Sequence, residues 1–433
     1  MQAEEVTSTA EQASAPTLPR SAVLLFACAS GLSVANVYYA QPLLDAVARE
    51  FAIPQAAVGG VVTATQVGCA LALVLLVPLG DLLERRRLML VQAVLLSAIL
   101  AFVGLAWSPA VLLLAMLLTG ALGTAMTQGL IAYAASAASG HERGRVVGAA
   151  QGGVFLGLLL ARVLAGAIGD IGGWRSVYVC AAAAMLALAV LLGAALPRLA
   201  APRRRMPYLR LIGSTFLLLR QDRVLQGRGV LALLMFAAFN VFWSAMVLPL
   251  SAAPHWLSHT AIGAFGLVGA AGALAAARAG RWADQGFGQA TTFGALVLLL
   301  LAWLPLSWLD SSLWALCIGI LLLDLGGQAI HVTNQSMIFR SHANQHSRVV
   351  AAYMLFYAVG SGLGAIAATT VYAAAGWPGV CVLGAGVVTL ALVCWAATLR
   401  QMPDGYSQAW LPTFLLPSCG KNDKLSFSPE ETE

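Results

Sequence analysis

Four polar residues interrupt an apolar stretch of the chain and have side chains that could do chemistry. They are Asp324, Gln328, His331 and Gln335, at spacings of four, three and four residues. On a helix these spacings place the four side chains within about 60° of arc. A carboxyl group or an imidazole in such a stripe must face protein or water, and both groups can take up and release a proton. We expect Asp324 to carry a proton, with His331 as the second candidate. The alternative is that Asp324 pairs with a buried donor and holds helices together.

Arg162 lies well inside another apolar segment. With a helical rise of about 1.5 Å per residue, it lies about 12 Å from one surface, and Asp324 lies about 18 Å from the same surface. These depths leave three roles for Arg162. It pairs with Asp324, it binds an anionic group of a ligand, or its long side chain reaches polar surroundings or backbone carbonyl groups.

Further polar and aromatic residues are expected to line one largely apolar cavity, as in most small-molecule sites. The set is Asn36, Tyr38, Tyr39, Gln41, Gln66, Thr127, Gln128, Asn240, Trp243, Gln328, Gln335 and Tyr357. Any single member could instead hold helices together through hydrogen bonds.

The composition is that of an integral membrane protein. Of the 433 residues, 60% are hydrophobic and 10% are charged, against about 25% charged residues in soluble domains. The net charge of +6 comes almost wholly from arginine, because Lys421 and Lys424 are the only lysines. The arginines fall between apolar runs, where they set membrane topology, so the positive charge does not indicate nucleic-acid binding.

Helices of about 20 apolar residues cross a hydrocarbon core of ~30 Å, and the sequence contains twelve such runs. They are 21–42, 57–79, 88–107, 110–137, 146–169, 174–196, 229–250, 260–279, 290–309, 312–337, 349–374 and 378–399. The predicted fold class is therefore all-α, with twelve transmembrane helices. Arginine-rich loops on one side predict that both termini are cytoplasmic. The predicted regions are a tail (1–19), a first half (20–196), a linker with a surface helix (197–228), a second half (229–400) and a disordered tail (401–433).

Short motifs recur at a nearly constant distance along the chain. Gly80 opens a charged turn that continues through Arg87, and a similar turn opens at Gly280, 200 residues later. Gly173-Trp174 recurs as Gly376-Trp377, 203 residues later. Recurrence at this distance indicates two related halves of six spans, the pattern of carriers that work by alternating access.

With these motifs, the sequence resembles the major facilitator superfamily over residues 20–400. The signature turn of that family is matched at Gly280 to Gly288, and in shortened form at Gly80 to Arg87. The stretch from Asn36 to Pro42 is similar to a bacterial branch near the drug:proton antiporters and sugar-efflux permeases. The chain departs from that branch at Ala161-Arg162, where a Gly-Pro pair is usual, and at Met116, where many members have an arginine.

The resemblance implies a secondary transporter in the bacterial inner membrane, with proton-coupled efflux of a small organic molecule. The alternatives are a proton symporter or uniporter for uptake, and a receptor or assembly subunit on a carrier scaffold. The charged turns would latch the cytoplasmic side through Gly80, Asp81, Glu84, Arg85, Gly280 and Asp284.

Other classes of function lack support in the sequence. It contains no Walker loop, no nucleophile elbow, no zinc-ligand spacing and no CxxC pair among its seven cysteines. We expect no enzymatic activity, no cofactor and no metal. The expected partners are a small-molecule substrate, protons and the lipid bilayer, with the chain acting as a monomer.

Overall fold

The structure, a computed structural model, describes residues 18–138, 142–196, 207–341 and 346–399, without the side chains of 271–277, 339–341 and 346–348. Within these ranges all regular elements are helices, which confirms the predicted all-α class. The predicted tails fall outside the described residues except for Leu18 and Pro19, and so do residues 197–206 of the predicted linker.

Twelve helical segments make up the bundle. Within the described ranges, eight helices are long and apolar enough to span a membrane, and Arg20–Ala35 and His259–Ala270 are shorter apolar helices. Two of the eight belong to the helices Arg143–Ala195 and His346–Thr398, which are 53 residues long and contain a break. Because each of these two supplies two spans, the number of spans is the predicted twelve.

We number the segments in chain order. The first half contains α1 (Arg20–Ala35), α2 (Gln55–Asp81), α3 (Arg85–Gly104), α4 (Pro109–Ala137), α5 (143–172) and α6 (174–195). The second half contains α7 (Arg223–Leu250), α8 (His259–Trp282), α9 (Gly288–Leu306), α10 (Leu313–Ser341), α11 (346–375) and α12 (377–398). Between them in sequence lies the linker helix (Tyr208–Gln221). Its placement on a membrane surface stays a prediction.

The bundle has two sides. The linker side is where α2 ends and α7 begins, and the far side is where α8 begins.

The breaks in the two long helices are tight turns at the repeated Gly-Trp pairs. Gly173 has φ 78° and ψ 167°, and Gly376 has φ 64° and ψ −162°. This region of backbone space is open essentially to glycine alone. Each following tryptophan anchors its turn: Trp174 donates a hydrogen bond to the Glu50 carboxylate, and Trp377 donates to a backbone carbonyl at 2.8 Å. The repeat in the sequence therefore marks equivalent turns in the two halves.

The helix α7 begins earlier than predicted. The sequence predicts its start at residue 229, because Arg223 and Arg228 resemble the arginine-rich linker before them. In the structure the carboxylate of Asp222 accepts hydrogen bonds from the N–H groups of Val224 and Leu225, at 2.8 and 3.1 Å. A side-chain cap of this kind satisfies the free N–H groups of a first helical turn. As a result, Arg228 lies inside the helix.

Glycines four residues apart let helices approach closely in each half. Gly153 and Gly157 of α5 face the backbone of α1, and Gly360 and Gly364 of α11 face the backbone of α7. A Cβ atom at any of these positions would collide with a backbone carbonyl group. Since lipid offers no hydrophobic driving force between helices, backbone contacts of this type supply much of the packing energy.

The two halves meet mainly at the far side. There α2 crosses α11, where Thr63 donates a hydrogen bond to the carbonyl of Gly362 at 2.8 Å and Thr369 accepts one from Gly59 N–H at 3.2 Å. Among the described residues, the hydrogen bonds between helices of the two halves lie at mid-depth or at the far side. The bundle is thus in a conformation closed at the far side.

Candidate functional site

Arg162 lies on α5 at the interface between the halves, and only 3% of it is exposed. Its Nε donates a hydrogen bond to the side-chain oxygen of Gln41 at 2.9 Å. Its guanidinium carbon lies 4.1 Å from the ring centre of Trp243 and 5.4 Å from that of Tyr38. Its Nη2 has no hydrogen-bond partner among the described residues. Arg162 is thus held by one amide and two aromatic rings, and it retains an unused donor.

A small cavity adjoins Arg162. In this conformation its free volume is about 10 Å³, which is room for about one water molecule. It is lined by Arg162, Gln41, Trp243, Met246, Val247 and Ile262, and the surface that these residues expose to it is apolar. Sites for small organic molecules usually have about 300–1,000 Å³, so such a ligand enters here only when the helices around the cavity move apart.

Asp324 lies on α10, in the opposite half, and is 7% exposed. It packs against Gly269 of α8, at a point where any side chain would collide with the carboxylate. Its Oδ2 has no hydrogen-bond partner in the described part of the chain. Arg162 and Asp324 interact electrostatically across the interface. They are not among the direct ion pairs that the described side chains form.

The rest of the α10 stripe faces other neighbours. His331 Nδ1 is hydrogen-bonded to the hydroxyl of Tyr353 at 3.0 Å, and His331 Nε2 lies 3.3 Å from the amide nitrogen of Gln335. Gln328 is half-buried between Asp324 and His331 along the helix. The stripe therefore divides, with Asp324 against α8 and His331 against α11.

Two side-chain hydrogen bonds join the halves beside Arg162. The hydroxyl groups of Tyr38 and Tyr357 are hydrogen-bonded to each other. Gln41, whose oxygen accepts from Arg162, donates through its nitrogen to Asn240 Oδ1 at 3.3 Å. A chain of hydrogen bonds therefore runs from α5 through the segment after α1 to α7.

Of the remaining predicted cavity residues, Gln66 is hydrogen-bonded to Tyr357, and two others bond within their own segments. Asn36 and Thr127 each donate to a carbonyl four residues earlier in the chain, at 2.8 Å. Tyr39 and Gln66 are buried, and Gln128 is half-buried. Of the predicted set, Tyr38, Gln41, Asn240, Trp243 and Tyr357 are the members that the structure gathers around Arg162.

The first charged turn is held within its own half. Arg85 Nε donates to the carbonyl of Gly80 at 3.1 Å, and its Nη2 lies 3.4 Å from the Asp81 carboxylate. Glu84 pairs with Arg87 at 2.8 Å. Both acids are engaged by arginines of the same turn, so their predicted role as a latch stays a prediction.

The second charged turn contacts the end of α10. Asp284 accepts a hydrogen bond from the hydroxyl of Ser336, and Gly280 faces α10 one turn earlier. Ser136 holds the equivalent position in the first half, 200 residues before, and there its hydroxyl accepts from Arg85. Equivalent serines in the two halves therefore bind partners of opposite charge, an arginine in the first half and an aspartate in the second.

A polar cluster at the far side was not found from the sequence. His259, the first residue of α8, is hydrogen-bonded through Nδ1 to Asp170 at 2.8 Å and through Nε2 to Asp45 at 2.9 Å. Asp170 also accepts from the backbone N–H of Thr260 at 2.8 Å and from its hydroxyl. We call these four residues the far-side cluster. Asp45 and His259 lie 214 residues apart in the chain, and no spacing rule connects the members of the cluster.

Both His259 and Asp170 lie just outside the predicted spans, and their contacts shift their pKa values. The hydrogen bond with Asp45 raises the pKa of His259 above its usual value, against the effect of burial, and Asp170 adds to the rise. Partial burial would raise the pKa of Asp170, but hydrogen bonds from Thr260 and His259 lower it to about 2. The cluster therefore favours an imidazolium between two carboxylates.

A second buried arginine was also missed. Arg228 of α7 is 0% exposed, and its Nη1 donates to Thr292 at 2.8 Å and to Asn334 Oδ1 at 3.4 Å. The available signal was Asp222, a favourable helix N-cap that would have moved the start of α7 before Arg228.

The sequence matches the model of the Major Facilitator Superfamily over residues 25–277 and 228–410. The chain belongs to the major facilitator superfamily. Its twelve helices in two halves of six are the architecture of that superfamily, as predicted. The predicted branch near drug:proton antiporters and sugar-efflux permeases stays a prediction.

Curated relatives of this superfamily member are described as transporters. It is 41% identical over 373 residues to the "Putative uncharacterized transporter YgaY" of Escherichia coli (strain K12), covering 86% of this chain and 94% of the relative. It is 30% identical over 376 residues to the "Probable transporter SCO4007" of Streptomyces coelicolor, covering 86% of both chains. The chain is therefore a multi-pass membrane transporter.

Among solved structures, the fold is similar to a bacterial homolog of the human lysosomal transporter Spinster, in an inward-facing and unoccupied conformation. The TM-score is 0.71 at 15% identity, with 90% of this chain and 99% of that chain covered. At this identity the likeness concerns the fold alone.

Proposed function

We propose that this transporter couples the movement of a small organic molecule to the movement of protons by alternating access. The observation that carries the proposal is the placement of Arg162 and Asp324. They are buried, they belong to opposite halves, and each keeps a polar atom without a hydrogen-bond partner among the described residues. Intramembrane ionisable groups are costly, and they usually mark a substrate or proton pathway.

The coupling follows from the electrostatics of separating the halves. A buried carboxylate needs a counter-charge or a proton, because an uncompensated charge away from water is very unfavourable. With the far side closed, Arg162 supplies part of that counter-charge to Asp324. Opening the far side moves α5 away from α8 and α10, so a proton then becomes the favourable way to neutralise Asp324. Protonation is thereby tied to the conformation.

Orientation and location are part of the proposal. Arginines of the first charged turn and of the linker region lie at the linker side, which supports a cytoplasmic position for that side. The far side then faces the periplasm of a bacterial inner membrane. The proposed working unit is the monomer.

The direction of transport depends on the charge of the substrate. Export in exchange for protons, the direction predicted from the sequence, requires that substrate and proton compete, as a cation would compete at Asp324. Uptake together with protons requires that both bind at once, as an anion at Arg162 would allow. Uniport requires neither competition nor joint binding between substrate and proton.

Purified full-length protein in proteoliposomes tests the coupling. A panel of drugs, sugars, nucleosides, amino acids and organic acids is screened by counterflow and by pH-gradient-driven flux. Asp324→Asn is expected to abolish gradient-driven accumulation and to retain counterflow. The matched control is Asp310→Asn, the same change at an exposed loop acid, which leaves both activities intact. Unchanged driven transport in Asp324→Asn contradicts the proposal.

A further inference from the structure

We infer that this transporter binds an organic anion, a carboxylate joined to an apolar body, with Arg162 and Trp243 as the residues that bind the carboxylate. The inference rests on the proposed transport function and names its substrate class. The donors, the walls and the charge around Arg162 favour such a ligand.

The charge of Arg162 has no direct counter-ion among the described side chains. A guanidinium group carries five N–H donors and stays charged in proteins. The hydrogen bond of Arg162 goes to a neutral amide oxygen, that of Gln41, and Nη2 has no partner in the described part of the chain. Asp324 acts on it only from a distance. A buried cation in this state is stabilised most by an anion that accepts from the free donor.

A second unused donor lies beside the first. The indole Nε1 of Trp243 has no hydrogen-bond partner among the described residues, and Trp243 is 2% exposed. The guanidinium carbon of Arg162 stands 4.1 Å from the Trp243 ring centre. Both side chains belong to the lining of the cavity, but both free donors are buried in this conformation, so a ligand reaches them only when the surrounding helices move apart. A ligand that satisfies them must bring acceptors, which a carboxylate does and an ammonium group does not.

The walls of the cavity select the rest of the ligand. Met246, Val247 and Ile262 present apolar surface, and Gly263 adds no side chain. A body such as an alkyl chain or an aromatic ring would bury apolar area against these walls. No acidic residue is among the described residues that line the cavity. A cationic ligand would therefore meet the charge of Arg162 without compensation.

An anion at Arg162 also changes the proton affinity of Asp324. The ionised carboxylate of Asp324 competes with the ligand for the field of the same arginine. Protonation removes this competitor, so anion and proton bind together. This linkage favours the uptake alternative, in which the anion and the proton move in the same direction.

The test measures binding, by titration calorimetry, to the full-length protein in detergent. The probes share one body and differ in charge: 2-naphthoate, 2-naphthamide and 2-naphthylmethylamine, with benzoate and benzamide as a smaller pair. We expect the carboxylates to bind about tenfold more tightly than the amides, since hydrogen bonds to charged groups contribute more than neutral ones. Carboxylate binding is expected to tighten as the pH is lowered through the range in which Asp324 takes up its proton, and this change is expected to vanish in Asp324→Asn.

Variants assign the effect to Arg162. Arg162→Gln is expected to remove the preference for carboxylate, and Arg162→Lys to keep part of it because the charge remains. The control is Arg223→Gln, at an exposed position of α7. Thermal unfolding of each variant checks that it folds. If Arg162→Gln does not fold, the comparison of carboxylate with amide on the unaltered protein still decides.

Two results overturn the inference: equal binding of amide and carboxylate, or no carboxylate binding in the panel. Neither outcome touches the proton-coupling proposal, which fails only when Asp324→Asn retains gradient-driven transport. The two failures are therefore distinguishable.

Discussion

The carboxylate of Asp170, in the first half, accepts hydrogen bonds from both the backbone N–H and the imidazole of His259, in the second half, at 3.0 and 2.8 Å. Both donors belong to the first turn of α8, whose N-terminal end attracts negative charge. Asp45 binds the second ring nitrogen. One imidazole thus joins three chain segments and closes the far side.

The first prediction concerns pH. In the closed state the carboxylates of Asp45 and Asp170 raise the pKa of His259, whereas opening the far side returns it towards its ordinary value of about 6.5. Below that ordinary value His259 is charged in both states, and its stabilisation of the closed state is fully present. As the pH rises through the raised pKa, the closed-state imidazole loses its proton and the stabilisation is lost. Because the proposed protonation of Asp324 favours the open state and so acts in the opposite direction, the measurement uses an Asp324→Asn background, in which the open population is expected to grow with increasing pH.

The open population is measured in a cysteine-free background with spin labels at two exposed positions, one in each half, introduced by Gln55→Cys and Ala374→Cys. Pulsed electron paramagnetic resonance gives the distance between the two labels. In the same background, His259→Gln, which cannot titrate at this position, is expected to lose this pH dependence. Titration of Asp170 does not contribute to this pH dependence near neutral pH. Its lowered pKa gives stabilisation that is lost only as the pH falls through about 2. A pH response of the same size in His259→Gln would contradict the assignment.

A second prediction concerns the contact between α5 and α8. A Cβ atom at Gly263 would collide with the carbonyl of Arg162 when the far side is closed. Gly263→Ala is therefore expected to shift the same spin-label pair towards the open state and to slow transport. Gly266→Ala, one turn along α8, is the control, because its Cβ would meet the nearest Arg162 atom at an ordinary 3.5 Å. Equal behaviour of the two variants would remove the steric explanation.

A third prediction concerns the two Gly-Trp turns. The conformations of Gly173 and Gly376 are strained for any residue with a side chain, so Gly173→Ala and Gly376→Ala are each expected to destabilise by about 1–3 kcal/mol. Thermal unfolding followed by fluorescence measures the loss. Gly152→Ala on α5 introduces a methyl group into open space at a helical glycine and should be neutral or stabilising. If the turn variants matched this control, the two turns would not be strained.

The fourth prediction concerns Arg228. Arg228→Gln is expected to destabilise the protein by about 1–3 kcal/mol, because Thr292 and Asn334 lose a buried charged donor. The same change at exposed Arg223, five residues earlier on α7, is expected to stay within about 0.5 kcal/mol. Thermal unfolding of both variants in one detergent makes the comparison. A loss of equal size at both positions would mean that Arg228 acts only through its general effect on α7.

Much of the fold was predictable because lipid allows so few solutions. A chain that crosses hydrocarbon must satisfy its backbone within each helix, so apolar length alone identifies the spans. The predicted start of α7 was wrong because the prediction treats charged residues as marking the end of the linker. Charged residues signal the end of a span only when they face water, and Arg228 faces Thr292 and Asn334 instead.

The sequence indicated which ionisable residues belong to the candidate site, but it did not indicate which residues they contact. Arg162 and Asp324 stand out in the sequence because ionisable groups are rare inside apolar runs. Their depths can be counted from the helix rise, but depth says nothing about the angle at which a helix faces its neighbours. The sequence therefore did not show that Asp324 packs against Gly269, nor that Arg162, which lies at a similar depth, forms no direct ion pair with it. The far-side cluster was invisible because single polar residues at helix ends look like ordinary loop residues.

The linker helix touches the first half through a hydrogen bond from Tyr208 to the carbonyl of Leu75, at 2.6 Å. The contacts that hold the two bundles together belong instead to the membrane helices, at α2 with α11 and α5 with α8. We therefore expect the two halves to associate even without a continuous chain between them. In this respect the halves resemble two subunits joined by a linker, and we expect two separately synthesised polypeptides, divided between α6 and the linker helix, to assemble.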